Sequence, residues 1–199
     1  MKLGKLLLAA VAAAVLLGAF VSSASAGRLS VSEQRNQALF ARLRFSGGFG
    51  EVSCEVLVSG SFHGRTGTKT VNSLSGYITE ATILRCATGG ATINQASLPW
   101  HRRFRSFSGT LPNITATSDT ITGAEWSIRE PVFGVTCTTR RAESGNLIGT
   151  YTLSSGTVAR ADVSSEGSRC AGIAGTFSGS TTNVVNNLTS RARITVTLI

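Results

Sequence analysis

The chain has 199 residues, a formal charge of +9, and a charged fraction of 15% against 42% hydrophobic residues. That length suits one domain with a respectable core, or two small ones. The positive excess gives only non-specific attraction to anionic polymers, so charge alone defines no partner.

Lys2 and Lys5 open the chain, an unbroken apolar run covers residues 6–21, and Ser22-Ser23-Ala24-Ser25-Ala26 follows. Charged start, apolar middle and small-x-small end are the parts of a secretory signal, here cut after Ala26. A spanning helix needs roughly 20 apolar residues, and this run is shorter and ends in serines. Residues 27–199 are therefore expected to form a single domain, secreted or otherwise extracytoplasmic. No cysteine follows the cut to carry a lipid, and no transmembrane segment is expected in the mature chain. Its cations are almost all arginine, Lys69 being the one mature lysine.

Ser30-Val31-Ser32-Glu33 fits a capping box, and residues 33–39 tolerate helix, which predicts a short N-terminal helix. From there period-two alternation, the mark of half-buried strands, recurs along the chain. Leu39, Ala41, Leu43 and Phe45 oppose Arg42 and Arg44. Val52, Cys54, Val56 and Val58 share a face against Ser53, Glu55 and Ser59. Residues 77–84 and 121–128 read as further strands. At the end, Ala192, Ile194, Val196 and Leu198 oppose Arg193, Thr195 and Thr197. Polar or turn-rich stretches at 64–73, 95–99, 111–113, 140–146, 164–169 and 179–187 separate these runs. The expected fold is all-β, an antiparallel sandwich or barrel of about ten strands.

Cys54, Cys86, Cys137 and Cys170 make an even set, which in an exported chain favours disulfides. Their spacing lacks the close pairs that zinc wants, and His63 and His101 add too little, so no metal site is expected. Four cysteines allow three pairings. Phe49-Gly50-Glu51-Val52-Ser53-Cys54 echoes Phe133-Gly134-Val135-Thr136-Cys137, and Arg85-Cys86-Ala87 echoes Arg169-Cys170-Ala171. That weak repeat, around 49–87 and 133–171, favours Cys54–Cys86 and Cys137–Cys170.

Residues 97–109 hold the least ordinary segment. As a strand it would point His101, Arg103, Arg105 and Phe107 one way and Trp100, Arg102, Phe104 and Ser106 the other. His101, Arg102, Arg103 and Arg105 are the candidate binding patch, for an anionic envelope polymer or another protein. Arginine among aromatics also suits nucleic acid, but an exported chain rarely meets it, so no nucleic-acid partner is expected. The alternative is a solvated sheet face with Trp100 and Phe104 in the core.

No nucleophile elbow, zinc-protease motif, P-loop or dinucleotide fingerprint is present. Glu51 with Glu55, and Glu125 with Glu130, are the carboxylate pairs a glycosidase would need, though any β-protein offers such pairs. His101 is the one triad candidate. No catalytic residue or cofactor is assigned, and the sequence leans away from an enzyme.

The run LPWHRRFRSFSGTLPNIT (98–115), with FGEVSC, GSFHGRTGTK, GYITEATILRC, EPVFGVTC and the closing RITVTLI, resembles a family of exported bacterial β-rich proteins of unknown function. The resemblance covers about residues 40–199 and implies export and one continuous unit. It implies no activity, ligand or site residue. Two main readings follow. One is a non-enzymatic exported β-module, with a binding or structural role at the envelope or outside the cell. The other is a β-barrel carrying a small apolar ligand. A secreted hydrolase, or a protease inhibitor with residues 64–73 as bait, ranks below both.

Overall fold

The computed structural model describes residues 28–198 except 48–49, 111–112, 133, 140–145, 167–168, 171–172 and 186–189. The expected leader, residues 1–26, lies outside the described residues, as do the centres of the turns expected at 111–113 and 140–146. In chain order the first strands are β1 (Arg28–Val31), β2 (Arg35–Gly47), β3 (Gly50–Phe62), β4 (Thr66–Thr68), β5 (Leu74–Cys86) and β6 (Gly90–Ile93). A 3-10 turn at Gln95–Ser97 leads to β7 (Trp100–Thr110), β8 (Asn113–Thr122), β9 (Trp126–Arg129) and β10 (Thr136–Thr139). Then come β11 (Asn146–Ser154), β12 (Thr157–Glu166), β13 (Arg169–Cys170), β14 (Ile173–Thr181), β15 (Val184–Val185) and β16 (Val196–Leu198). The fold is all-β, as the alternation predicts.

Of the sandwich and the barrel, the strand pairing selects the barrel. β2, β3, β5, β7, β8, β11, β12 and β14 form one antiparallel meander, and β14 then pairs back onto β2. Eight strands enclose an interior just wide enough for side chains or one small ligand. Closing so tight a ring requires sharp coiling, which bulges and glycines supply. Register shifts occur in β2 against β3, at two places in β3 against β5, and again in the β5–β7, β7–β8 and β11–β12 pairs. At the β3–β5 shift, a Cβ on Gly60 would land on the Tyr77 carbonyl oxygen, and one on Gly76 on that of Ser61.

Each end of the ring has its own small sheet. At the end holding the β2–β3 turn, β6, β9 and β10 form a three-stranded sheet. Its Trp126 packs at 6.1 Å from Phe45 and 5.1 Å from Phe177, ring centre to ring centre. These rings join Val52, Val56, Ile78, Trp100, Ile121 and Leu147 in one core. At the other end β16, β1 and β4 form the second small sheet. Leu29, Val31, Ile194 and Val196 there pack with Phe104, Ile114, Leu153 and Val158 of the barrel.

Three expectations are corrected. No helix forms over residues 33–39, because β2 begins at Arg35 and is held by β3 on one side and β15 on the other. The capping-box residues serve remote partners instead: the Ser32 hydroxyl accepts from the Thr195 amide, and Glu33 faces Arg65 at 3.7 Å. In β2 the bulge sets Ala41 and Arg42 against Glu55 alone, which switches the inward parity. Phe40 is buried in place of Leu39 and Ala41, while Leu43 and Phe45 point inward as expected. The single strand expected over 121–128 is broken, since β8 ends at Thr122 and the chain turns at Gly123, with φ 93°, before β9.

Cys54 and Cys86 face each other directly across β3 and β5 and are joined by a disulfide. Cross-linking a 32-residue separation stabilises by roughly 3–4 kcal/mol in the chain-entropy model. Cys137 is disulfide-bonded as well, and its strand β10 runs beside β13; the Cys170 side chain lies outside the described residues. The two cysteine-bearing segments occupy different places, one in the barrel wall and the other in an end sheet beside it. Gly60→Ala should therefore lower stability by about 3 kcal/mol, as overpacking against rigid backbone does. Gly67→Ala, whose Cβ meets nothing within 4 Å, should be near neutral; urea midpoints of the oxidised protein compare the two.

Candidate ligand-binding site

β7 carries the key side chains by simple alternation. Trp100, Arg102 and Phe104 point into the barrel, and His101, Arg103 and Arg105 point out. The four-residue patch is thereby split. Arg102 is 1% exposed and cannot belong to a surface patch. On the outside, His101 stacks edge-on against Tyr77 at 5.5 Å, Arg103 donates to the Asn72 carbonyl at 3.0 Å, and Arg105 is also engaged.

Burying a guanidinium is costly unless it is paired and hydrogen-bonded. Asp119 of β8 supplies the counter-charge from the neighbouring strand. Arg102 Nε and Nη2 both donate to Asp119 Oδ2, at 3.1 and 2.5 Å, and the Ser75 hydroxyl of β5 donates to Oδ1 at 2.9 Å. Phe62 and Tyr151 flank the guanidinium with ring centres 4.9 and 5.0 Å from its central carbon. Such cation–π contacts are worth about 2 kcal/mol or more when desolvated.

Burial works against the charge on Arg102, but Tyr151, once ionised at high pH, and then the charge and hydrogen bond of Asp119 outweigh it, and its pKa is raised. Burial also lifts the Tyr151 phenol above its ordinary value; Arg102 pulls it back in part and Asp119 pushes it up. Arg102 therefore stays charged and the Tyr151 phenol neutral across the physiological range.

Above the ion pair lies a cavity of about 140 Å³, between the barrel and the β16–β1–β4 sheet. Leu29, Val31, Phe62, Phe104, Val158 and Val196 give it mainly apolar walls, with Arg102, Asp119 and Ser75 also lining it. A second cavity of about 60 Å³ lies among Phe40, Leu43, Trp100, Ile121, Leu147 and Phe177. Tyr151 lines both.

The other candidates do not converge. Glu51 lies by Ser46 and Arg44, Glu55 is bound by Arg85 at 2.6 Å, and Glu125 accepts from Asn94. Glu130 is buried and accepts from the Val132 amide. The proposed bait loop is tied down: β4 pairs with β1, and the Asn72 amide donates to the Phe104 carbonyl. Among the described residues no group of His, Cys, Asp and Glu is placed to hold a metal, and no helix is long and apolar enough to cross a membrane.

Sequence reasoning missed Asp119, Ser75, Phe62 and Tyr151. A signal for Asp119 was present: it shares the parity of Ile121, the apolar residue next inward along β8. An inward acid on one strand beside an inward arginine on the next is a pair waiting to be matched.

Fold and site together define a closed eight-stranded antiparallel barrel with a buried, aromatic-flanked ion pair beneath an end cavity. No protein-family model, no curated protein and no solved structure matches the chain.

Removing one partner of a buried ion pair leaves the other uncompensated, at about 3–5 kcal/mol. Arg102→Met should destabilise by that amount, and adding Asp119→Leu should restore much of it; chemical denaturation of the single and double variants measures both. Tyr151 supplies a second expectation. Its raised pKa means its contribution to stability is full below the unfolded value of about 10 and is lost as pH rises towards the folded value. Above pH 10 the wild type should lose stability more steeply than Tyr151→Phe, by up to about 1.4 kcal/mol per pH unit, in denaturation midpoints taken from pH 8 to 11.

Proposed function

We propose that the mature chain is an exported, non-catalytic barrel that holds one small, mainly apolar ligand in the cavity above Arg102 and Asp119. The observation that carries this reading is the cavity itself, about 140 Å³ of space with largely apolar walls and a polar floor. Small-molecule sites combine those two features, apolar enclosure for affinity and a few fixed polar groups for orientation. The volume is below the usual range for drug-sized ligands. It is close to the roughly 150 Å³ cavity known to accept benzene, so the ligand is of about that size.

Export is part of the proposal. It rests on the leader-like residues 1–26, on the disulfides, and on the resemblance to exported bacterial β-rich proteins. The Cys54–Cys86 bridge suits an oxidising compartment.

Two measurements test it. The protein recovered from outside the cytoplasm should begin at about Gly27, by intact mass. Native mass spectrometry of that oxidised protein should show a small bound molecule, or benzene at saturation should raise its melting temperature. Leu29→Trp, which places a ring in the cavity, should abolish the benzene effect. A protein that neither carries a ligand nor responds to benzene would end the binding reading, and an uncleaved leader would end the export reading.

A further inference from the structure

The floor of the cavity is selective in a way its apolar walls are not. Arg102 commits Nε and Nη2 to Asp119. Its Nη1 makes no hydrogen bond among the described residues. Arg102 lines the cavity. Phe62 and Tyr151 cover the guanidinium flanks, which leaves its edge as the approach to this nitrogen. A charged donor therefore faces an enclosed, mainly apolar space.

Charge decides which acceptor it takes. Asp119 already balances Arg102 at 2.5 Å. A carboxylate or phosphate entering the cavity would make two anions share one buried cation, and the desolvation cost of the second would not be met. His63, at the rim of the cavity, is exposed and solvated. On the acceptor side little is on offer: Asp119 Oδ2 takes two donors from Arg102 and Oδ1 takes one from Ser75. A ligand that only donates therefore gains less here than one that accepts.

Resting on the ligand-binding reading above, we infer that the ligand is a small neutral carbonyl compound, a ketone, aldehyde or lactone of about benzene's size. Its oxygen accepts from Arg102 Nη1, and its hydrocarbon part lies against Leu29, Val31, Phe104 and Val158. Asp119 is a positioning residue. It fixes the guanidinium edge-on to the cavity and cancels the charge that would otherwise recruit an anion.

The test uses the oxidised mature protein and three probes of one ring size: cyclohexane, cyclohexanone and cyclohexanecarboxylate at pH 7, titrated by ligand-observed NMR. A hydrogen bond to a charged donor is worth a factor of about ten or more in affinity. Cyclohexanone should thus bind at least about tenfold tighter than cyclohexane, and the carboxylate should bind more weakly than the ketone. In the Arg102→Met, Asp119→Leu double variant the ketone preference should vanish while cyclohexane still binds. Equal affinity for cyclohexane and cyclohexanone in the wild type would overturn the carbonyl inference and leave the cavity reading standing. Tightest binding of the carboxylate would overturn it in favour of an anion site. Binding of none of the three would remove the cavity reading itself. The wild-type comparison decides the matter even if the double variant does not fold.

Discussion

The return of β14 onto β2 is the constraint on which the rest of the molecule depends. Without it the meander would be an open sheet with two unpaired edges and one solvated face. With it, eight strands share a single interior, every inward position must be apolar or paired, and the wall must coil tightly. The bulges, the Gly60 and Gly76 contacts and the parity switch in β2 are consequences of that closure. So is the need for the two end sheets, because a ring this small leaves open mouths that its own side chains do not cover.

Within this interior the two halves solve the packing problem differently. The Trp126 end is filled with rings and aliphatic side chains, and the space left there is about 60 Å³. The opposite half contains Arg102, the largest side chain buried below 2% exposure. A guanidinium held flat between two rings and tied along one edge to a carboxylate is rigid, and it does not collapse into a neighbouring gap as an aliphatic chain would. The larger cavity adjoins a place in the core where a side chain is fixed by several directional bonds. Shape and polarity of the site thus have a common origin.

The barrel wall was largely legible from alternation, since each strand shows one face to a core and one to water. The Cys54–Cys86 bridge was suggested by a faint repeat, although the halves of that repeat do not occupy matching positions. What alternation does not reveal is where parity breaks. The bulge at Ala41–Arg42 costs one residue of phase, and only the pairing with β3 exposes it. The helix expected from Ser30 and Glu33 failed for a related reason: a capping box is a local signal, whereas Thr195 and Arg65, which engage Ser32 and Glu33, are remote in sequence. The site was half visible. Arg102 between Trp100 and Phe104 has inward parity, but Tyr151 reaches it from β11, a neighbour only by virtue of the order of strands around the ring.

The sheet over the cavity above Arg102 joins β1, which precedes the barrel, to β16, which follows every barrel strand, with Leu29 opposite Leu198 and Val31 opposite Val196. This seam has a temporal meaning. As the polypeptide emerges from N- to C-terminus, the whole ring can be laid down while the cavity still lacks one wall, and Val196 completes it last. Any ligand too large to pass the finished rim would have to be captured during that interval, as the barrel matures. The same seam brings Val196 of β16 into the wall of the cavity, beside Leu29 and Val31 of β1.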